Sequence, residues 1–478
     1  MNEQWSRWHT YLTVVLLVAV VSFPWWHSHP VAADMPMHTA VAKAFVELVS
    51  GDTPSDYPYE IVIKVGPYQG AQYILALIVG ILGPEYGAKS ALSLYALLSV
   101  LGVGYLVGRI NPSATWERLV GVPLALNYFF HWGFWPFLIS LPVAYFAAGY
   151  ALRVSHPMRV VASGSLLRLL VFLLHPVTAV ILGVYDLLAV LLGISDTDRW
   201  KQPRRWRWIT LCGYWLVPGF LAVLAFLLSE STKSFAGWGS ITKQAIQLVR
   251  PFYITQHWWE GLVPFAGWLA VALAMAFMAL RQRRWPGIGI AGAFLILVGI
   301  MFPREAFMGG WEIGARFVLV GAVVVTASWA TAAVAAKRAV LLWIVVATVV
   351  NVVAGHWMWN RHSPSQERLV AALSLKTQEA IVTTDLERRA NQPSVDFGRH
   401  AGVWAWCLGI AGDAYNDVAS QRTFGPVRHR RLHLDADSAD QNERVDILYH
   451  PYGTGGIDSL INGQLLYQDS IYTMYRIE

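Results

Sequence analysis

Cysteine is nearly absent from this 478-residue chain, with Cys212 in an apolar run and Cys407 in a polar stretch. A disulfide would have to join a lipid-buried position to an aqueous one, so the two thiols say nothing about redox compartment. The spacings C-x-x-C and H-E-x-x-H are missing, which removes the common zinc motifs. Charge is scarce as well: Asp, Glu, Lys and Arg make up 14% of the chain, where soluble domains carry about a quarter. No small-residue cleavage site follows the first apolar run. Pro24-Trp25-Trp26-His27 stands there instead, so the run reads as a retained helix and not as a signal peptide. No internal repeat is visible, which weakens an inverted-repeat transporter reading.

What the chain has in excess is apolar surface. Hydrophobic residues make up 55%, with 23 Trp, 20 Tyr and 20 Phe. So little polar surface cannot cover so large a core in water, and indole and phenol rings favour the membrane interface. Apolar runs fall near 9–25, 70–83, 90–108, 119–132, 135–151, 160–174, 177–194, 209–229, 262–280, 287–302, 317–335 and 339–357. A spanning helix takes about 20 residues, so the shorter runs must be kinked, re-entrant or extended by amphipathic flanks. The net charge of +6 comes from short basic clusters between these runs, which the positive-inside rule explains without nucleic acid.

Those clusters orient the chain. Arg199 to Arg207, Arg281 to Arg284 and Lys337-Arg338 read as cytoplasmic, and two crossings separate each from the next. Arg7 places the N-terminus inside. The segments 27–69, 230–261, 303–316 and everything after about 358 then fall outside. An odd number of crossings must separate 69 from 199, yet six runs lie between them. One of 119–132 and 135–151, joined by the aromatic stretch Asn127 to Pro136, is therefore re-entrant. The expectation is an all-α polytopic membrane protein of about 11 transmembrane helices. Residues 1–358 form the membrane domain, and 359–478 a small extracytoplasmic mixed α/β domain. In the latter, 379–384 and 444–449 alternate like strands.

The first outer loop holds the densest chemistry. Met37, Val41, Phe45 and Leu48 recur at helical spacing, Pro36 suits a first turn and Gly51 a C-terminal cap. Asp34 stands at the start of this helix and His38 one turn on, able to face the same way. Asp34 is either an N-cap, accepting backbone N–H bonds, or an accessible carboxylate base. A second informative loop runs from Pro303 to Phe317. There, Glu312 and Arg316 form either an i,i+4 salt bridge at a helix entry or a site in which the Arg316 fork grips phosphate. Within the membrane, His175, Arg168 and Asp186 are costly and must face a cavity or one another.

The order of the N-terminal features resembles the GT-C-fold membrane glycosyltransferases, the polyprenyl-phosphate-dependent mannosyl- and aminoarabinosyltransferases. An acid opens a long outer loop and a short surface helix follows. Then come Gly66-Pro67-Tyr68, a helix closing on Leu82-Gly83, and Ala88-Lys89-Ser90 at the next helix, with Lys89 where that family usually has Arg. The match covers about the first 110 residues; beyond it only the architecture agrees. The resemblance implies transfer of a sugar from a polyprenyl-phosphate-linked donor to a glycan, lipid or protein acceptor on the extracytoplasmic face of the cytoplasmic membrane. Asp34 would be the general base, and His38 would position donor or acceptor. Arg304, Arg316, Lys64 and Arg250 are the cations available to the departing phosphate, with Glu312, Glu60, Asp56 and His175 as further candidates. The paired first-loop acids of many members are missing here, which leaves a divalent cation such as Mg or Mn an open expectation. The rival classes are a transporter or lipid flippase, which would use Arg168, His175 and Asp186 along a central path, and a non-catalytic membrane assembly protein.

Overall fold

The computed structural model describes residues 3–28, 30, 32, 34–51, 59–61, 66–114, 116–152, 157–192, 204–227, 241–252, 261–281, 287–302, 305–306, 310–329, 334–374 and five short C-terminal strands. Helices dominate. They are α1 (Glu3–Ser22), α2 (Met35–Ser50), α3 (Gln69–Ile110), α4 (Val122–Ala125), α5 (Tyr128–Trp132), α6 (Trp135–Ala151), α7 (Pro157–Leu174) and α8 (Pro176–Leu191). After them come α9 (Arg204–Leu227), α10 (Ile241–Val249), α11 (Leu262–Arg281), α12 (Gly287–Met301), α13 (Ile313–Ser328) and α14 (Val334–Ser374).

Three described helical stretches, Gln69–Ile110, Leu262–Arg281 and Arg338–Asn360, are long and apolar enough to cross a membrane. Seven more apolar helices of 10–17 residues accompany them. Their outward faces stay apolar: Leu216, Ile81, Phe220 and Phe277 are each about two-thirds exposed or more. A soluble protein does not leave so continuous an apolar surface bare; lipid is the solvent that fits it. The protein is thus a polytopic helical membrane protein.

The sequence divides 70–108 into two runs, and the structure joins them as one kinked element. Gly83 takes φ 76°, ψ 168° at the bend. Pro84 follows, which removes a backbone donor and crowds the preceding turn. The run 119–132 does not form a single helix. It breaks into a 3-10 turn (Trp116–Gly121), α4 and α5. Asn127 makes the break: its Oδ1 caps α5 by accepting from Phe129 N and Phe130 N at 2.9 and 3.2 Å. Its Nδ2 donates to Tyr95 Oη and Leu124 O, both at 2.8 Å. Gly133 then ends α5 in the left-handed region, at φ 70°. Apart from the exposed Arg118 and the half-buried Trp132, the described side chains from 117 to 132 are buried, and Phe129, Phe130 and Trp135 lie in the core.

The helix expected in the first loop is α2, with Pro36 in its first turn and Gly51 as a left-handed cap. It does not lie loose on a surface. Met35 to Ala40, Ala42 and Ala44 are buried, and α2 packs along α3. Farther on, α12 and α13 pack closely. A Cβ on Gly299 would fall 2.6 Å from Gly314 O, the close backbone approach that small residues allow in membranes. This pairing seats the start of α13.

Strands are short. β1 (Tyr59–Ile61) pairs antiparallel with β5 (Val427–His429), which sets Glu60 opposite Arg428 in register. β2 (Glu305–Ala306) and β3 (Gly310–Trp311) form a small hairpin before α13. β4 (Ile381–Thr383), β6 (Asp446–Tyr449), β7 (Gly463–Gln468) and β8 (Thr473–Ile477) make one sheet, ordered β4-β6-β8-β7. β4 and β6 lie in the two stretches whose alternation reads as strand. The helix α14 continues without a break through position 358, where the apolar pattern stops.

Candidate active site

Five segments far apart in sequence meet at one end of the bundle: the start of α2, the turn before α3, the junction between α5 and α6, the turn between α7 and α8, and the start of α13. The junction holds the first loop in place. The backbone N–H of Asp34 donates to Trp132 O at 2.7 Å. Gly133 lies directly beneath, where a Cβ would come within 2.7 Å of Met35 N. Asp34 sits at the N-cap position of α2, yet its side chain makes no capping hydrogen bond. The carboxylate is therefore not consumed by the cap, and it remains half-buried.

Arg316, on the first turn of α13, is the central cation. It is 7% exposed, and Asp34, Tyr68 and Tyr128 all act on it electrostatically. Phe137, Phe134 and Phe129 ring the guanidinium with centroids 4.9, 5.2 and 5.7 Å away, close enough for cation–π attraction. Its Nη1 meets His175 Nε2 at 2.7 Å. A guanidinium can only donate, so His175 accepts at Nε2; its Nδ1 accepts from the Thr178 backbone N–H at 3.3 Å and lies 3.2 Å from Thr178 Oγ1. Ser140 Oγ closes that chain at 2.7 Å from Thr178 Oγ1. Burial first, then the Arg316 charge, holds the His175 imidazole well below its ordinary range. The Nε of Arg316 is buried and has no hydrogen-bond partner among the described residues.

Glu312 does not pair with Arg316, and the i,i+4 bridge expected from spacing is corrected here. Glu312 stands at the N-cap of α13 with φ 56°. That left-handed turn carries its fully buried carboxylate to Arg250 instead, as an ion pair. Arg250 also lies 5.1 Å over the Tyr128 ring. The reason is geometric. The i,i+4 relation assumes helical backbone at both residues, and Glu312 is outside the helix. Arg250 is thereby neutralised, while Arg316 is left facing Asp34.

His38 lies at the same end but is tied elsewhere. Its Nδ1 accepts from Gln72 Nε2 of α3 at 2.6 Å, and the ring is 8% exposed. Glu60 is described only as backbone, within β1. Lys64, Arg304 and Asp56 lie outside the described residues. Among the described residues no three His, Cys, Asp or Glu side chains converge as metal ligands.

Tyr68 escaped the sequence reading. It caps α3 in the left-handed region, φ 72°, and its ring meets His175 edge-on at 5.0 Å. Burial raises its phenol above the ordinary range and Arg316 partly offsets this. The available signal was its place in Gly66-Pro67-Tyr68, an entry turn that positions whatever follows Pro. Tyr128 was missed too, because an aromatic in an apolar stretch carries no pattern of its own. The two buried membrane charges resolve simply. Arg168 and Asp186 bind each other through Nε–Oδ2 at 2.7 Å and Nη2–Oδ1 at 2.8 Å.

The bundle has the GT-C fold, as its likeness to solved structures shows. Over essentially its whole length the chain is similar to ArnT from Cupriavidus metallidurans. In the apo state the TM-score is 0.56 at 12% identity, covering 99% of this chain and 98% of that one. Bound to undecaprenyl phosphate, the TM-score is 0.59 at 12% identity, covering 100% and 98%. An oligosaccharyltransferase from Archaeoglobus fulgidus, tethered to an acceptor peptide, overlaps less, with TM-score 0.36 at 11% identity over 84% of this chain and 63% of that one. No family model and no curated protein matches the sequence.

Proposed function

We propose that the protein is a glycosyltransferase that moves a sugar from a polyprenyl-phosphate-linked donor to an acceptor hydroxyl. Asp34 is the general base and Arg316 the phosphate contact. One observation carries the reading. A buried guanidinium, braced by His175 and three phenylalanines, has an Nε with no hydrogen-bond partner among the described residues and lies within electrostatic reach of the half-buried Asp34 carboxylate.

The chemistry follows from those groups. Asp34 takes the proton of the acceptor hydroxyl while its oxygen attacks the anomeric carbon. The bond from that carbon to the phosphate oxygen breaks, and the anomeric centre inverts. The departing polyprenyl phosphate gains negative charge, which Arg316 meets with donors already in place. Tyr68 and the phenylalanines keep water from that charge. Likeness to a protein solved with undecaprenyl phosphate supports the donor class.

The orientation belongs to the same reading. The site faces the extracytoplasmic side, the N-terminus is cytoplasmic, and residues 359–478 form an outer domain. The pairing of β1 with β5 supports placing the first loop and that domain on one face. A transport reading gains less, because Arg168 and Asp186 are saturated by each other.

The test is direct. Purified protein is incubated with radiolabelled polyprenyl-phosphate sugars, and wild type is compared with Asp34→Asn. Loss of about 10²-fold or more in transfer, with unchanged donor binding, is expected of a missing general base. Equal transfer by both forms removes Asp34 from the mechanism. No transfer by wild type with any donor removes the enzyme reading.

A further inference from the structure

The far end of α3 carries two arginines that the candidate site does not use. α6 shows where they lie. Trp135 starts that helix at the site, and Gly149, near its other end, meets Tyr105 of α3: a Cβ on Gly149 would fall 2.7 Å from the Tyr105 ring. From 135 to 149 the helix rises roughly 21 Å at 1.5 Å per residue, a large part of the hydrocarbon thickness. This end of α3 is therefore at the membrane boundary opposite Asp34 and Arg316.

Both arginines are seated against the helix. Arg109, in the last turn of α3, folds back over its own face. Its guanidinium lies 4.4 Å from the Tyr105 ring centroid and its Nη2 donates to Tyr105 Oη at 3.0 Å. Phe146 of α6 packs on the same ring, with centroids 5.4 Å apart, so that platform is fixed from both sides. Arg118, in the 3-10 turn after α3, is exposed, yet two glycines make room for it. A Cβ on Gly104 would fall 3.3 Å from Arg118 O. One on Gly108 would fall 3.2, 3.3 and 3.3 Å from Arg118 Nη2, Cζ and Nε, so the guanidinium lies flat against α3. Its Nη2 reaches Pro112 O at only 3.4 Å.

Positive charge is left over here. Among the described residues neither Arg109 nor Arg118 has a salt-bridge partner. Glu117 is 2% exposed and bridges to neither. The carbonyl end of α3 supplies about half a negative charge, against two guanidiniums. The same face also runs into hydrocarbon. Leu101, Tyr105 and Arg109 recur at i, i+4 and i+8 on one side of the helix. Leu101 is 48% exposed, and Tyr105 and Arg109 are half-buried. Alkyl, phenol and guanidinium follow one another over roughly 12 Å, the order in which a phospholipid presents acyl chain, ester and phosphate.

We propose that this end of α3 binds the headgroup of an anionic phospholipid in the leaflet opposite the candidate active site. The forks of Arg109 and Arg118 hold the phosphate oxygens, and an acyl chain runs along Leu101. Phosphatidylglycerol suits the pair because its charge is uncompensated. Phosphatidylcholine brings a cation of its own, and soluble phosphate offers nothing to Leu101.

The experiment uses the full chain in nanodiscs doped with a phosphatidylglycerol that carries a diazirine in its acyl chain. Labelled peptides are mapped by mass spectrometry, with unlabelled phosphatidylglycerol, phosphatidylcholine of the same acyl chains or inorganic phosphate as competitors. Label is expected on residues 98–110. Phosphatidylglycerol should compete about ten-fold better than phosphatidylcholine, the worth of about one hydrogen bond to a charged group. Arg109→Gln with Arg118→Gln should erase that preference. Arg118 is exposed, so Arg118→Gln alone should weaken it in a folded protein if the double variant is not monodisperse. Equal competition by the two lipids in the wild type overturns the proposal. So does a preference that survives both substitutions, label spread evenly onto Leu216 and Phe220, or displacement by inorganic phosphate as effective as that by the lipid. Sugar transfer is not read in any arm, so the result stands apart from the proposed activity.

Discussion

Arg316 meets each of its neighbours in a specific orientation, and its planar fork matters as much as its charge. Lysine keeps the charge but cannot reach His175 while presenting a second donor in the plane. Arg316→Lys should therefore lower transfer by about 10²-fold through loss of stabilisation of the departing phosphate. Steady-state kinetics check this: kcat falls more than donor affinity does. An unchanged kcat would place Arg316 in packing alone. A different residue governs pH behaviour. His27 lies at the end of the first membrane helix, 5% exposed, with its Nε2 3.3 Å from His356 Nδ1. Burial, then His356, then Lys89 bring its imidazole down to about 4, and the buried His131 ring is close enough to feel its charge. The folded state thus binds fewer protons than the unfolded chain between about pH 6.5 and 4. Stability from this group is complete above that window and is lost as pH falls through it. The Tm of detergent-solubilised protein should drop between pH 7 and 5, and His27→Gln should flatten that drop.

Among the elements, the junction between α5 and α6 decides where the first loop rests. Gly133 is the vulnerable point, since a Cβ would strike Met35 N at a positive φ. Gly133→Ala should cost about 2 kcal/mol or more and shift Asp34 away from Arg316. A lower Tm together with reduced transfer checks it, and a loss of Tm with full specific activity would refute the positional claim. Much of α2 was legible in advance, because Pro36, Gly51 and the 3.6-residue spacing of Met37, Val41, Phe45 and Leu48 are local signals. The break inside 119–132 was legible only as a parity conflict. Its cause, the bond from Asn127 to Tyr95, joins residues 32 apart and leaves no periodic trace. Pairing of charges was least legible. Spacing linked Glu312 to Arg316, but a positive φ at Glu312 sent its carboxylate to Arg250. For Arg168 and Asp186 the sequence left a cavity and mutual pairing both open, and the structure pairs them.

For the whole molecule, that last pair ties α7 to α8 inside the bundle. Removing one member leaves an uncompensated charge, so Arg168→Met or Asp186→Leu alone should cost about 3–5 kcal/mol, whereas the two together should recover most of it. Thermal unfolding of the four forms in one detergent measures the coupling. Destabilisation that is merely additive would mean the pair contributes nothing as a pair.

The bond between Arg316 and His175 spans 141 positions, and the first loop docks onto Trp132, nearly one hundred residues downstream. During synthesis Asp34 therefore reaches its docking point only once the α5–α6 junction has been made. The Asp34 carboxylate and the Arg316 guanidinium meet only when α13 arrives. On the proposed reading, nascent chains halted before position 312 would transfer no sugar, however many helices they had inserted.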